Sequence, residues 1–339
     1  DEMQFVGMNK RMKSLVEKFP AQLKRAIEIG KAATFKPAKN EIKNVLICGL
    51  GGSGIGGTVV SQIVGSECKV PILTCNDYHI PAFVNENTLV IASSYSGNTE
   101  ETLFTIEQAI KANAEIAAVT TGGKVLEICK EHGYNHIINP PGMPPRSTMG
   151  YSLTQQLFIL EKYNLISSKF TEQVGTAADL LLAEKENIIK DADALAEKLL
   201  NKIPVIYSAD NYEGVAIRFR QQINENSKML CWHHKLPELC HNEIVGWTEE
   251  HKNTALVLFR NEQDFYRTSK RTDFVISKLK PLVSSVTELY SKGNNMLEKS
   301  IYFIHLGDWT SVLIAQKRAI DPIEIAVIDE LKEALAGLK

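Results

Sequence analysis

The 339-residue sequence has no long basic run and no apolar run near the roughly 18 residues that a membrane span requires. Its formal net charge is −2 at pH 7. Proteins that bind nucleic acid commonly carry a basic patch or stripe, which this balance does not provide. We therefore expect neither a nucleic acid nor a membrane as a partner.

The six cysteines form no CxxC pair and follow no disulfide framework. They are Cys48, Cys68, Cys75, Cys129, Cys231 and Cys240. The N-terminal segment 1–13 also lacks the short apolar core of a signal peptide. We therefore expect reduced thiols in a cytoplasmic protein.

Short apolar segments alternate with helical ones, first over residues 44–138 and again after residue 203. Strands so rich in Val, Ile and Ala are buried on both faces, which is typical of a parallel sheet covered by helices. We predict an α/β fold with a similar unit in each half. The predicted domains are residues 1–150 with a leading helix, a helical connection over 151–200, and residues 201–339. We also predict a strand at "KMLCW" (228–232) and helices at about 295–318 and 322–338.

The stretch "LICGLGGSGIGGTVV", residues 46–60, leads from a buried strand through a glycine loop into a helix. Gly49, Gly51 and Gly54 match the G-x-G-x-x-G spacing of dinucleotide sites. Asp77 lies a few residues beyond the place where such a site needs an acidic residue. The loop alone therefore leaves two ligands open, a nicotinamide dinucleotide and a smaller phosphate.

The stretch "SSYSGNTEET", residues 93–102, brings several hydroxyl groups to the start of a helix. Ser94, Ser96 and Thr99 surround the flexible Gly97. A helix N-terminus has free N–H groups and a positive dipole end, so it favours an anion. A plain helix cap without a ligand is the alternative, with Asn98 and Glu101 as a capping box.

These two loops together resemble the sugar isomerase (SIS) domain, whose serine-threonine loop holds a sugar phosphate. Three further stretches are "PPRSTMGYSL", "LPELCHNEIVGW" and "DPIEIAVIDELKEAL". With them, nearly the whole chain resembles the bifunctional phosphoglucose/phosphomannose isomerase family. The resemblance implies two SIS-type domains, each a flavodoxin-like α/β/α sandwich. It also implies isomerisation of glucose 6-phosphate and mannose 6-phosphate to fructose 6-phosphate through an enediol, without a cofactor or metal, in a homodimer with shared sites.

The family motifs assign roles to residues that would otherwise read as ordinary surface groups. Glu243 in "CHNEIVGW" matches the proton-transfer base, whereas an unassigned loop acid would be merely solvated. Arg146, after three prolines, would stabilise the enediolate and orient the sugar. Lys332 would assist ring opening, although its spacing also suits a surface pair with Asp329. The residues expected to bind the substrate are Gly52, Ser53, Ser94, Ser96, Thr99, Arg146 and His241.

Ring opening in this family also uses a histidine from a neighbouring subunit. We favour His251 for that role and assign His241 to placing the base loop, with His305 as a third candidate. The residues His233, His234, Cys240 and His241 raise zinc as a rival, but their spacing fits no standard structural site.

Three alternative functions stay open at this point. One is a non-catalytic SIS module that senses a sugar phosphate. Another is a nicotinamide dehydrogenase, which would bind its cofactor. The last is the isomerase half of a glucosamine-6-phosphate synthase, against which the missing glutaminase domain counts.

Overall fold

A computed structural model describes residues 2–338 and contains two parallel β-sheets. The strands of the first sheet are β1 (Asn44–Cys48), β2 (Ile72–Cys75), β3 (Thr88–Ser94), β4 (Glu115–Thr120) and β5 (Asn135–Ile138). Their order across the sheet is β2-β1-β3-β4-β5. The second sheet consists of β6 (Ile203–Ala209), β7 (Trp232–Leu236), β8 (Thr254–Arg260) and β9 (Val286–Tyr290), in the order β7-β6-β8-β9. All neighbouring strands are parallel, as predicted.

Twelve α-helices cover and connect these sheets within residues 2–338. They are α1 (Glu2–Glu17), α2 (Phe19–Ala32), α3 (Gly51–Ile63), α4 (Glu100–Lys111), α5 (Gly123–His132), α6 (Met149–Lys162), α7 (Lys169–Ala183), α8 (Lys185–Leu199), α9 (Glu213–Gln222), α10 (Tyr266–Leu279), α11 (Met296–Lys317) and α12 (Ala326–Ala336). None of them is both long and apolar enough to span a bilayer.

One large hydrophobic core joins the two halves of the chain. It contains Ile47 of the first sheet and Ile206 of the second, and α11 passes through it. Residues 297–315 of α11 are all buried, so this helix has no solvent-facing side over that stretch. The strands of the two sheets fall within the predicted ranges 1–150 and 201–339. The domain limits themselves stay a prediction.

The strand predicted at "KMLCW" is wrong. A π-helical turn covers Ile223–Ser227, and Lys228 has the left-handed φ of +56°. The strand begins only at Trp232, which pairs with Val205 of β6, so it contains the polar sequence "WHHKL". Because β7 is the edge strand of its sheet, it is only half-buried and does not need a continuous apolar run.

Candidate functional site

The glycine stretch and the serine-threonine loop lie next to each other at the carboxyl ends of the strands of the first sheet. Strands β1 and β3 are direct neighbours, so the loops after them leave the sheet side by side. Helix α3 begins already at Gly51, so most of the glycine stretch forms its first turns, and α4 begins at Glu100 after the serine-threonine loop. Neither helix has a side-chain hydrogen bond at its N-cap. Two helix N-termini therefore present N–H groups to the same crevice, an arrangement that suits an anion.

A pair of hydrogen bonds fixes these loops against each other. The Ser53 Oγ accepts a bond of 3.0 Å from the Tyr95 backbone N–H, and the Ser93 Oγ donates to the Ser53 carbonyl at 2.9 Å. Ser53 lies in the first turn of α3 and is buried. The structure thus brings Ser53 directly beside the serine-threonine loop.

Within that loop, the three predicted hydroxyls differ in exposure. Ser94 is completely buried; its hydroxyl shares a 2.8 Å bond with the Thr99 hydroxyl and accepts one from the Gly97 N–H. Ser96 is exposed and Thr99 half-buried. Ser94 therefore braces the loop from inside, while Ser96 and Thr99 border the solvent.

The capping-box alternative is wrong, because α4 has Thr99 and not Asn98 at its N-cap. The Asn98 Oδ1 instead accepts a hydrogen bond from the Lys124 N–H at 3.0 Å, which ties the loop to α5.

Arg146 is a neighbour of the glycine loop, but its side chain points into the protein. A Cβ on Gly52 would lie 2.7 Å from the Arg146 backbone nitrogen, so the two backbones touch. The guanidinium is 3% exposed and donates to the Asn226 Oδ1 at 2.8 Å and to the Pro322 carbonyl at 2.5 Å. Burial lowers the pKa of Arg146. Its bond to Pro322 holds the segment that leads into α12.

Arg218 of α9 and Asp308 of α11 are two residues that the sequence analysis missed. Arg218 forms a buried ion pair with Asp308 of α11 at 3.0 Å and also donates to the Arg146 carbonyl at 2.5 Å. Burial raises the pKa of Asp308, and the charge of Arg218 opposes that rise. The pair fixes the Arg146 backbone, yet nothing in the local sequence distinguishes Arg218 or Asp308 from surface residues.

Glu243 begins the second of two 3₁₀ turns that follow β7 of the second sheet. Its Oε2 accepts hydrogen bonds from the Tyr207 hydroxyl and from the Trp232 indole N–H, the latter at 3.3 Å. The Asn242 side chain caps the turn by accepting from the Glu243 N–H at 2.7 Å. Burial, followed by the hydrogen bond to Glu243 and then by the charge of Glu243, raises the pKa of Tyr207 strongly. The carboxylate is therefore held half-buried at the start of this turn.

The predicted histidines and lysine lie at different depths. The His251 ring contacts Trp247, with ring centroids 5.4 Å apart, and Trp247 in turn donates to the Tyr207 hydroxyl at 3.1 Å. His241 is exposed in the turn before Glu243, and Lys332 is exposed on α12. His305 is 2% exposed and stacks on Phe19, so it cannot contact a substrate in this structure.

The predicted residues thus form two groups and one isolated lysine. The serine group comprises Gly52, Ser53, Ser94, Ser96, Thr99 and Arg146; the glutamate group comprises His241, Glu243 and His251. Within residues 2–338, no hydrogen bond or ion pair joins Glu243 to the serine group. Helix α9 connects the groups indirectly: Arg218 contacts Arg146, and Arg220 donates to His233 of β7 at 3.1 Å.

The histidines proposed as zinc ligands have other partners. His233 is bonded to Arg220, and His234 to the Asn242 side chain at 3.1 Å. Over the part of the chain that the structure describes, no group of three or more His, Cys, Asp or Glu residues is arranged to hold a metal ion.

Comparisons with known proteins agree with this fold. The family model of the bacterial phospho-glucose isomerase C-terminal SIS domain matches residues 188–335. A bifunctional phosphoglucose/phosphomannose isomerase from Caldicellulosiruptor bescii is 39% identical over 96% of this chain and 98% of its own length. A protein of the same name from Thermoplasma acidophilum is 35% identical over 86% of this chain and 90% of its own.

A solved structure shares the fold at low sequence identity. It is the C-terminal domain of glucosamine-fructose-6-phosphate aminotransferase from Francisella tularensis, with a TM-score of 0.71 and 15% identity. The match covers 90% of this chain and 95% of that one.

Proposed function

Because the chain belongs to the bifunctional phosphoglucose/phosphomannose isomerase family, we propose that it interconverts glucose 6-phosphate and mannose 6-phosphate with fructose 6-phosphate. The observation that carries the proposal is a half-buried carboxylate, Glu243, held by two hydrogen bonds in the same chain as an anion-binding crevice. Aldose–ketose isomerisation needs a base for the proton and an anchor for the phosphate.

The serine group is the proposed phosphate anchor. Two helix N-termini without side-chain caps face one crevice, and Ser53, Ser96 and Thr99 add hydroxyl donors without adding charge. The Gly52 backbone lies against that of Arg146, so a side chain at position 52 would not fit. A phosphate bound here would hold the sugar at its C6 end.

Glu243 is the proposed base that moves a proton between C1 and C2. Both side-chain hydrogen bonds to its carboxylate end on Oε2, which leaves Oε1 as the oxygen that takes the proton. The enediol has no stereocentre at C2, so the glucose and mannose epimers pass through the same intermediate. Dual specificity then requires only that the C2 hydroxyl fit on either side.

We assign the remaining steps as the family resemblance implies. Arg146 orients the sugar and stabilises the enediolate, Lys332 and His251 assist ring opening, and His241 positions the base loop. For Arg146 to reach the sugar, its guanidinium must exchange the bond to the Pro322 carbonyl for one to the substrate.

The first experiment assays purified protein with fructose 6-phosphate in EDTA and measures glucose 6-phosphate and mannose 6-phosphate separately. A Glu243→Gln variant should lose at least about 10²-fold in rate, since general-base catalysis contributes roughly 10²–10⁴-fold. Glu249→Gln, an exposed carboxylate in the same loop, is the matched control and should keep the parental rate.

Each failure of that assay has a specific meaning. Binding of the sugar phosphate without turnover would support the non-catalytic module. Activity that returns only with zinc would show that the proposed mechanism is wrong, and glucose 6-phosphate as the sole product would remove the mannose activity.

A homodimer is the proposed assembly. Helix α12 has no buried residue, yet Val327 and Leu331, four residues apart on one face, are 74% and 59% exposed. A helix of eleven residues is only marginally stable in water without packing. We infer that this face packs on a second copy. Leu331→Glu should therefore produce monomers in sedimentation, whereas Ala336→Glu, on the opposite face, should not.

Mixing two inactive variants tests whether the site is shared. If His251 acts on the Glu243 of the other subunit, mixed dimers of Glu243→Gln and His251→Ala contain one intact site of two. Random reassociation then restores about a quarter of the parental activity. If both residues serve the same subunit's site, the mixture stays inactive.

A further inference from the structure

A cavity of about 300 Å³ lies at the carboxyl ends of strands β6 and β8 of the second sheet. None of the residues assigned above to the isomerase site lines it. The loop after β6, Asp210–Tyr212, forms one wall, and the loop after β8, residues 261–265, forms the other. The chain runs from β6 outward to β7 and then returns to β8 on the other side of β6. The cavity therefore lies at the point where the strand order reverses, which is where open α/β sheets bind ligands.

This cavity occupies the same topological position as the serine group does on the first sheet, but its chemistry differs. The first-sheet loops contain glycine and hydroxyl residues. The second-sheet cavity is lined by two carboxylates, Asp210 and Asp264, by the amides of Asn211 and Gln263, and by one ammonium group, Lys299. It is therefore not a second copy of the phosphate crevice.

Lys299 is the most unusual residue of this cavity. Its side chain extends from the first turn of α11, is 8% exposed, and donates a hydrogen bond to the Gln263 Oε1. Within residues 2–338, no carboxylate oxygen lies within 4.0 Å of its Nζ, so no ion pair neutralises it. A buried charge is costly unless it is paired, and a negatively charged ligand group is the partner that this wall lacks.

The start of α10 favours the same sign of charge. This fourteen-residue helix has no side-chain hydrogen bond at its N-cap and no acidic residue in its first turn. Thr268 in that turn also lines the cavity. Its unbonded N–H groups and the positive end of its dipole therefore add to the attraction that Lys299 exerts on an anion.

The two carboxylates limit how much negative charge the ligand can carry. Asp210 is paired with Lys235 at 3.0 Å. Asp264 accepts hydrogen bonds from the backbone and side chain of Asn261, at 3.0 and 3.3 Å. Both would repel a phosphate dianion, but both have lone pairs that can accept bonds from hydroxyl groups.

We propose that this cavity binds a small hydroxylated monocarboxylate of the sugar-acid class. The ligand carboxylate contacts Lys299 and the start of α10, and its hydroxyl groups bond to Asp210, Asn211 and Asp264. The volume lies at the lower end of the range for small-molecule sites, which suits a chain of about six carbons. This site is independent of the proposed isomerase site.

Calorimetric titration of the full-length protein with four probes tests the proposal. Gluconate has both the carboxylate and the hydroxyl groups of the proposed ligand. Sorbitol has only the hydroxyl groups and acetate only the carboxylate, whereas inorganic phosphate carries more negative charge than a monocarboxylate. Gluconate should bind at least about tenfold more tightly than each of the others. Its affinity should not change when fructose 6-phosphate saturates the isomerase site.

Two variants localise the binding. Lys299→Met should weaken gluconate binding at least tenfold, while Lys278→Met, an exposed lysine on α10, should leave it unchanged. Asn211 is exposed, and its replacement by alanine leaves the Lys299 ammonium in place. Asn211→Ala should therefore weaken the binding of gluconate but not that of acetate. Lys299→Met should also unfold at no lower denaturant concentration than the parent, since it removes an unpaired buried charge.

Several results would overturn the proposal. Equal binding of sorbitol and gluconate would show that charge is not recognised, and tighter binding of phosphate would indicate a phosphate site. Competition between gluconate and fructose 6-phosphate would assign the binding to the isomerase site. A destabilised Lys299→Met with unchanged gluconate affinity would make the lysine structural. None of these outcomes depends on whether the protein turns over its substrate.

Discussion

Replacing Gly97 with alanine should damage both the stability of the protein and its affinity for a sugar phosphate. Gly97 adopts a φ of +75° between Ser96 and Asn98, in the middle of the serine-threonine loop. A Cβ added there would lie 1.8 Å from the Gly122 carbonyl oxygen and 2.9 Å from the Thr120 Oγ1. The first of these contacts is with backbone, so it cannot be relieved by rotating a side chain.

Two costs add up for this substitution. A left-handed backbone conformation costs a non-glycine residue about 1–2 kcal/mol. Relieving the clash requires the loop to move away from the segment before α5, and overpacking of this kind costs about 1–3 kcal/mol. The expected loss is therefore about 2–5 kcal/mol. The same movement shifts Ser96 and Thr99, so KM for fructose 6-phosphate should rise at least tenfold.

Substitutions at two adjacent glycines, Gly51 and Gly52, separate the cost of the backbone conformation from the cost of the clash. Gly51 also has a positive φ, +53°, but an added Cβ would meet nothing within 4 Å. Gly51→Ala should therefore lose only about 1–2 kcal/mol. Gly52→Ala has no such φ, but its Cβ would lie 2.7 Å from the Arg146 nitrogen, so it reports the cost of close backbone contact alone.

Urea unfolding and steady-state kinetics of the three variants provide the measurements. If Gly97→Ala and Gly51→Ala lose the same stability, the clash with Gly122 has been overestimated and the reasoning fails. If Gly97→Ala is destabilised but binds fructose 6-phosphate normally, the loop does not hold the phosphate.

Three further predictions concern buried groups. Burial lowers the pKa of His305 to about 3, so only the unfolded chain takes up a proton at this residue as pH falls below about 6.5. The free energy of unfolding should therefore drop by about 2 kcal/mol between pH 6.5 and 5. Urea unfolding of His305→Leu at the two pH values should lack this drop. Asp308→Leu leaves Arg218 buried without its partner and should cost about 3–5 kcal/mol in the same assay; a loss below about 1 kcal/mol would mean that the pair is solvated. Tyr207→Phe removes a donor to Glu243 and should lower kcat about tenfold with little change in KM; the opposite pattern would place Tyr207 in substrate binding.

The sequence was informative where the local pattern determines structure. Strands such as Thr88–Ser94 are buried on both faces, and their continuous apolar runs predict them directly. Pro20 lies in the first turn of α2, where its fixed φ favours the start of a helix. The edge strand β7 was misplaced because a half-buried strand with two histidines resembles a loop when hydropathy is read alone.

The candidate site divides in the same way. The glycine and serine motifs identify the crevice because they follow buried strands, and parallel strands deliver their ends to one edge. The sequence does not reveal that Ser94 is buried and closes the loop, or that Arg146 bonds to the Pro322 carbonyl. These are contacts between residues far apart in the chain.

By itself, the sequence determined the α/β class, the two sheets and the residues to test, because these depend on periodicity and on motifs within a few dozen residues. Only the tertiary structure decided which side chains share a group. It paired Arg218 with Asp308, directed Tyr207 and Trp232 to one oxygen of Glu243, and left Lys299 without a carboxylate partner. The physical reason is that a buried charge or hydrogen bond depends on the complete set of its neighbours, and packing gathers those neighbours from distant parts of the chain.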